Sequence, residues 1–221
     1  MGHKLYREAH PLVFVLNHWI NLCAMVFLTL SGFYIHYPIF PAFMGVARGT
    51  HTFWMFVLLI NLVVRIVLAF FVKSANMPDT REQELDYKNW LPQSANRHQM
   101  IPWLKYYLFL KKDHPISAKY GVLQKIAYLA TPFLILAAAY TGFMLWAPTM
   151  NWAIFKVGAI WISSLFNSGG GADLMSVRIV HYYVMWVILI FTAFHVYLAN
   201  IYNFAPSKMI FAWKENTGDH A

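Results

Sequence analysis

The sequence predicts an all-α integral membrane protein, a bundle of four transmembrane helices with short interfacial helices beside it. Three observations carry that expectation. Of 221 residues, 59% are hydrophobic and only 12% charged, whereas soluble domains typically hold about 45–50% apolar and about 25% charged residues. Four apolar runs each supply the ~20 residues that cross a hydrocarbon core about 30 Å thick. Lys and Arg gather on one side of those runs, which orients them. The whole chain, 1–221, reads as one membrane domain.

The first span runs from about Leu12 to Tyr37 and is closed by Pro38 and Pro41. The second runs from about His51 to Val72, the third from about Val122 to Trp146 before Pro148, and the fourth from about Val177 to Tyr202 before Pro206. Proline cannot donate its backbone hydrogen bond, so each is a plausible stop. Lys4, Arg7, Lys73, Arg81, Lys88, Arg97, Lys105, Lys111, Lys112, Lys119, Lys208 and Lys214 lie on one side; only Arg48, Lys156 and Arg178 lie on the other. This bias places both termini in the cytoplasm. It also explains a net charge of +8 without any nucleic-acid partner. Ile101–Lys111 mixes aromatic, aliphatic and basic residues, as expected at the cytoplasmic interface. Trp152 to Phe166, interrupted by Lys156, is expected along the outer surface, and Asn167–Gly171 is a turn into the last span. The first residues lead straight into a full-length span, so no cleaved leader is expected.

Cys23 is the single cysteine. It excludes an intrachain disulfide and covalent haem attachment through C-x-x-C-H, and argues against an iron–sulfur cluster. Metal chemistry must rest on the ten histidines. His181 and His195 are fourteen residues apart on one apolar run, nearly four helical turns, so they share a face about 21 Å apart along the axis. Ionisable residues inside lipid are costly and usually functional. With the termini inside, His18 and His195 share the inner level, and His51, which opens the second span, shares the outer level with His181. Two imidazoles from different helices at each level form two bis-histidine haem sites, built as bundles build cofactor sites. His36 also lies on the His18 face, but Tyr37-Pro38 sets it at the rim, so His51 is preferred. His3, His10, His98 and His220 read as solvated.

Gly32, fourteen residues past His18, and Gly142 at similar depth would let backbone approach a flat ligand or simply allow tight helix packing. Arg65 sits at inner depth, suited to a haem propionate, to a quinone headgroup or to snorkelling toward the interface. Arg178, one turn before His181, suits an outer propionate or marks the membrane boundary.

These residues carry a resemblance. Asn17-His18-Trp19-Ile20-Asn21 with Ser31-Gly32-Phe33-Tyr34-Ile35, His51 with Arg65, and Arg178-Ile179-Val180-His181 with His195-Val196-Tyr197 resemble the b-type cytochrome subunit of membrane-bound nickel–iron hydrogenases. Its superfamily includes the gamma subunit of formate dehydrogenase. The likeness runs from Tyr6 to about Asn203. It implies two haem b groups at His18/His195 and His51/His181. It also implies a periplasmic iron–sulfur small subunit and nickel–iron large subunit as partners, in a complex open to further oligomerisation. Electrons would pass inward to menaquinone or ubiquinone. In relatives a Lys-Tyr-Asn-x-x-Gln-like stretch before the third span meets the quinone. Here it reads Lys119-Tyr120-Gly121-Val122-Leu123-Gln124, so the asparagine is lost. The Gly121 amide, Gln124, Tyr120 or His114 would stand in for it, unless Gly121 is only a turn into the helix. Formate dehydrogenase or thiosulfate/polysulfide reductase partners fit the same architecture. A haem-free transporter or anchor is the alternative of another class.

Overall fold

The computed structural model describes residues 4–77, 79–91, 94, 98–112, 115, 119–166, 171–200 and 204–217. In chain order its α-helices are α1 (Leu12–His36), α2 (Met44–Phe71), α3 (Tyr87–Trp90), α4 (Met100–Tyr107), α5 (Val122–Leu145), α6 (Ala153–Leu165), α7 (Leu174–Asn200) and α8 (Ala205–Ala212). α1, α2, α5 and α7 are long and apolar enough to span a bilayer, as the hydropathy pattern predicts. The protein is mostly rather than wholly helical: β1 (Lys73–Ala75) and β2 (Gln83–Leu85) pair antiparallel between α2 and α3, with Ser74 opposite Glu84.

Two helix starts lie earlier than hydropathy predicts. α2 begins at Met44, straight after a 3-10 turn at Pro41–Phe43. Gly45, Arg48 and Gly49 dilute the apolar signal there without breaking the helix, so His51 stands two turns inside α2 rather than at its mouth. α7 begins at Leu174 because Asp173 caps it. The Asp173 carboxylate accepts from the amides of Met175 and Ser176, both at 3.0 Å, and from the Ser176 hydroxyl at 2.6 Å. Such caps stabilise a helix by about 1 kcal/mol. Pro206 sits in the first turn of α8, where its missing N–H is harmless; the expected end of the fourth span at Tyr202 lies outside the described residues.

The chain divides into two compact units, Met1–Ala130 with Val196–Ala221, and Thr131–His195. In the first, α1 and α2 run antiparallel. Asn17 meets Asn61 at one end, Phe27 stacks on Trp54 in the middle and Ser31 reaches His51 at the other end. Asn17 Nδ2 donates to Asn61 Oδ1 at 2.6 Å, while Asn61 Nδ2 donates to the Asn17 carbonyl at 2.8 Å and to Asn21 Oδ1 at 2.7 Å. Both amides are buried, and this mutual satisfaction is what makes them tolerable in an apolar pair. α8 packs back on α1, where Trp19 donates to the Ile210 carbonyl and meets Phe211 edge to face. Leu5 and Asn216 form an isolated antiparallel bridge beside a core of Leu5, Ala9, Ala75, Ala205 and Met209.

The second unit is built on the later half of α5, α6 and most of α7. Met144, Ala159, Ile162 and Val177 form its core. Gly158 lets α6 approach α5 closely: a Cβ there would collide with the Tyr140 hydroxyl and the Met144 methyl.

Candidate functional site

Four histidines on three apolar helices are the chemistry-bearing groups of the spans. α1 and α2 carry His18 near one end of their pair and His51 near the other; α7 carries His195 and His181 about 21 Å apart along its own axis. His36 is exposed at the last residue of α1.

Both His51 and His181 are held through Nδ1 by a hydroxyl of a neighbouring helix. Ser31 Oγ lies 2.9 Å from His51 Nδ1. Thr141 Oγ1 lies 2.8 Å from His181 Nδ1. Each hydroxyl also donates to the carbonyl four residues back on its own helix, Ser31 to Phe27 at 2.6 Å and Thr141 to Ala137 at 2.8 Å. A hydroxyl has one proton. Once that proton is given to the helix, the oxygen accepts from Nδ1–H and the lone pair of the imidazole sits on Nε2. That is the donor a metal needs, oriented by a partner at the opposite nitrogen. The arrangement fits axial ligation of haem iron. Among the described residues no cluster of three or more His, Cys, Asp or Glu side chains is poised for a metal.

A second polar centre lies at the other end of the α1–α2 pair. Asp86, fully buried, receives Arg65 Nη2 at 2.7 Å and Trp90 Nε1 at 3.2 Å on one oxygen. Lys119 Nζ at 2.9 Å and the Ser74 hydroxyl at 2.6 Å reach the other oxygen. Burial alone would raise the Asp86 pKa, but Lys119 and Arg65 outweigh it and hold the carboxyl below its usual range. Burial pulls Lys119 below the usual lysine range, with Asp86 opposing. Arg65 also lies over the rings of Phe14, at 4.1 Å, and Trp90, at 4.9 Å. Its partner is thus a carboxylate of the chain itself, supplied by the segment after β2, while its Nη1 is buried without a hydrogen-bond partner among the described residues.

His10 departs from the solvated role its position suggests. It is half-buried, and burial, followed by the charge of Lys119, holds its pKa down to about 3. His98 is exposed, as expected; His3 and His220 lie outside the described residues.

The stretch before α5 is occupied by helix capping. The Gly121 amide donates to Gln124 Oε1 at 2.8 Å, half of a capping box. A Cβ on Gly121 would stand 3.1 Å from the Trp103 ring, so glycine permits that contact. Tyr120 is buried against Tyr128, and its hydroxyl pKa is raised by burial. His114 lies outside the described residues. Gly32 and Gly142 are half-buried, and Arg178 is exposed. Sequence reasoning singled out neither Thr141 nor Asp86, and gave Ser31 no role; lone hydroxyls within apolar spans were the available signal.

The family model described as "Prokaryotic cytochrome b561" matches residues 9–212. The "Probable Ni/Fe-hydrogenase B-type cytochrome subunit" of Azotobacter vinelandii is 26% identical over 196 residues, 82% of this chain and 75% of that protein. The "Probable Ni/Fe-hydrogenase 1 B-type cytochrome subunit" of Escherichia coli (strain K12) is 26% identical over 193 residues, 82% of this chain and 77% of that protein.

Proposed function

The chain belongs to the prokaryotic cytochrome b561 family, and from that premise we propose that it is the membrane-anchoring, di-haem subunit that carries electrons from a hydrogenase to quinone. A multi-pass protein of the prokaryotic inner membrane suits that role. In this reading the whole chain is one di-haem membrane domain with both termini in the cytoplasm. The iron–sulfur small subunit and nickel–iron large subunit of the hydrogenase sit on the periplasmic side. The names of the Azotobacter and Escherichia relatives favour a hydrogenase over a formate dehydrogenase or a sulfur-compound reductase.

The observation that carries the reading is the matched tethering of His51 and His181 through Nδ1. His51 and His181 would hold the periplasmic-side haem, His18 and His195 the cytoplasmic-side haem. Bound haem b supplies a one-electron couple whose potential depends on its axial ligands and their hydrogen bonds. The protein's own work is to fix four imidazoles, exclude water and keep cations near the acidic groups of its ligands. Arg65, through Nη1, and Arg178 are candidates for propionate partners, and Gly32 and Gly142 for close backbone approach. The quinone would lie near the inner level, beside Tyr120, Gly121, Gln124 and His114.

Reduced-minus-oxidised spectra with haem quantitation test this on the assembled complex. Replacing His18 or His195 is expected to remove one centre, and replacing His51 or His181 the other. Both centres surviving loss of His51 would transfer ligation to His36. A purified protein without a reduced b-haem band would make this chain a transporter or plain anchor and end the proposal.

A further inference from the structure

We infer that Ser31 and Thr141 are a matched pair of positioning residues that set tautomer and ring plane for His51 and His181, and so tune the potential of one haem. This rests on the reading above. It assigns roles to two residues that neither ligate nor touch a substrate.

The two tethers arise in separate units, on α1 facing α2 and on α5 facing α7, yet repeat one design. A short hydroxyl side chain, buried in an apolar span, turns its proton back onto its own helix. Ser31 has the Phe27 and Leu28 carbonyls within 2.6 and 3.3 Å, and Thr141 has those of Ala137 and Ala138 within 2.8 and 3.1 Å. With the proton so engaged, only a lone pair faces the imidazole. Were the hydroxyls instead to donate to Nδ1, each ring would carry its proton on Nε2 and offer iron nothing. A neutral hydroxyl also makes the ring moderately electron-rich, less than a carboxylate would.

The test is a redox titration of the holo complex, with low-spin ferric EPR and haem quantitation, on Ser31→Ala and Thr141→Val. Losing the acceptor weakens each imidazole as a donor and disfavours ferric iron. About tenfold in ferric-over-ferrous affinity is expected, at the lower end of second-shell effects, which raises the potential by about 59 mV for a one-electron couple. Both variants should move the same centre and its EPR signal while the other centre stays put. Ser31→Thr and Thr141→Ser, which keep the hydroxyl, should restore wild-type values. Should Ser31→Ala not assemble, Thr141→Val, which keeps the side-chain volume, carries the test. Unchanged potential and EPR, shifts in different centres, or no rescue by the hydroxyl-retaining variants would each overturn the inference. If His51→Ala and His181→Ala still remove one and the same centre, only the hydroxyl tether has failed; if they do not, the ligand assignment itself has failed.

Discussion

Replacing Asp86 by Asn isolates the most deeply buried ion pairs among the described residues. The carboxylate is fully buried between Arg65 and Lys119, whose side chains are 17% and 2% exposed. Asn keeps the shape and leaves two cations without their counter-charge. Breaking a buried ion pair from one side costs about 3–5 kcal/mol. Lys119 has an escape, because shedding its proton at pH 7 costs about 5 kcal/mol from an ordinary lysine pKa. That cost falls by about 1.4 kcal/mol per pH unit, whereas Arg65 stays charged throughout. The variant is therefore expected to lose about 3–5 kcal/mol at pH 7 and distinctly less at pH 9. For a chain of this size that is a fall of about 6–20 °C in Tm at pH 7. Thermal unfolding in detergent at both pH values, followed by near-UV circular dichroism, reads it. A loss under about 1 kcal/mol at pH 7, or one independent of pH, would refute the reasoning.

Asn61→Leu removes the partner of buried Asn17 and is expected to destabilise the α1–α2 pair by about 1–3 kcal/mol. Asn17→Leu/Asn61→Leu should lose less than the two single changes combined, which a double-mutant cycle of reversible detergent unfolding measures. His10, held down to about 3, stays neutral in the folded protein while the unfolded chain takes up its proton below about 6.5. Stability should therefore fall as pH drops from about 6.5 toward 3, and His10→Gln should flatten that part of the curve; an unchanged slope would show that His10 titrates freely.

The four spans were legible because each is a long run of apolar residues, a signal that survives any tertiary arrangement. Their edges were less so. Asp173 caps α7 before its apolar run begins, and Gly45 and Gly49 disguise the first turns of α2. The small sheet was invisible, since three-residue strands such as Lys73–Ala75 have no period to detect. The four histidines stood out through spacing and depth alone. Their supporting hydroxyls did not, because Ser31 becomes meaningful only when α2 lies against α1. Arg65 announced itself as a cation inside an apolar helix, but its partner lies 21 positions on in a polar segment. The capping role of Gly121 was readable as a glycine three residues before Gln124.

Leu5 and Asn216 exchange backbone hydrogen bonds at 2.8 and 3.0 Å, and Glu215 joins them, accepting from the Arg7 amide across 208 positions. Made at about 5–20 residues per second, the amino end waits roughly 10–40 s for its closing strand to leave the ribosome. Until then the exposed edge at Leu5 has no native mate, and truncation before Glu215 would leave it so permanently. Reporters fused at either end would sample one and the same compartment, giving every topology measurement a built-in duplicate.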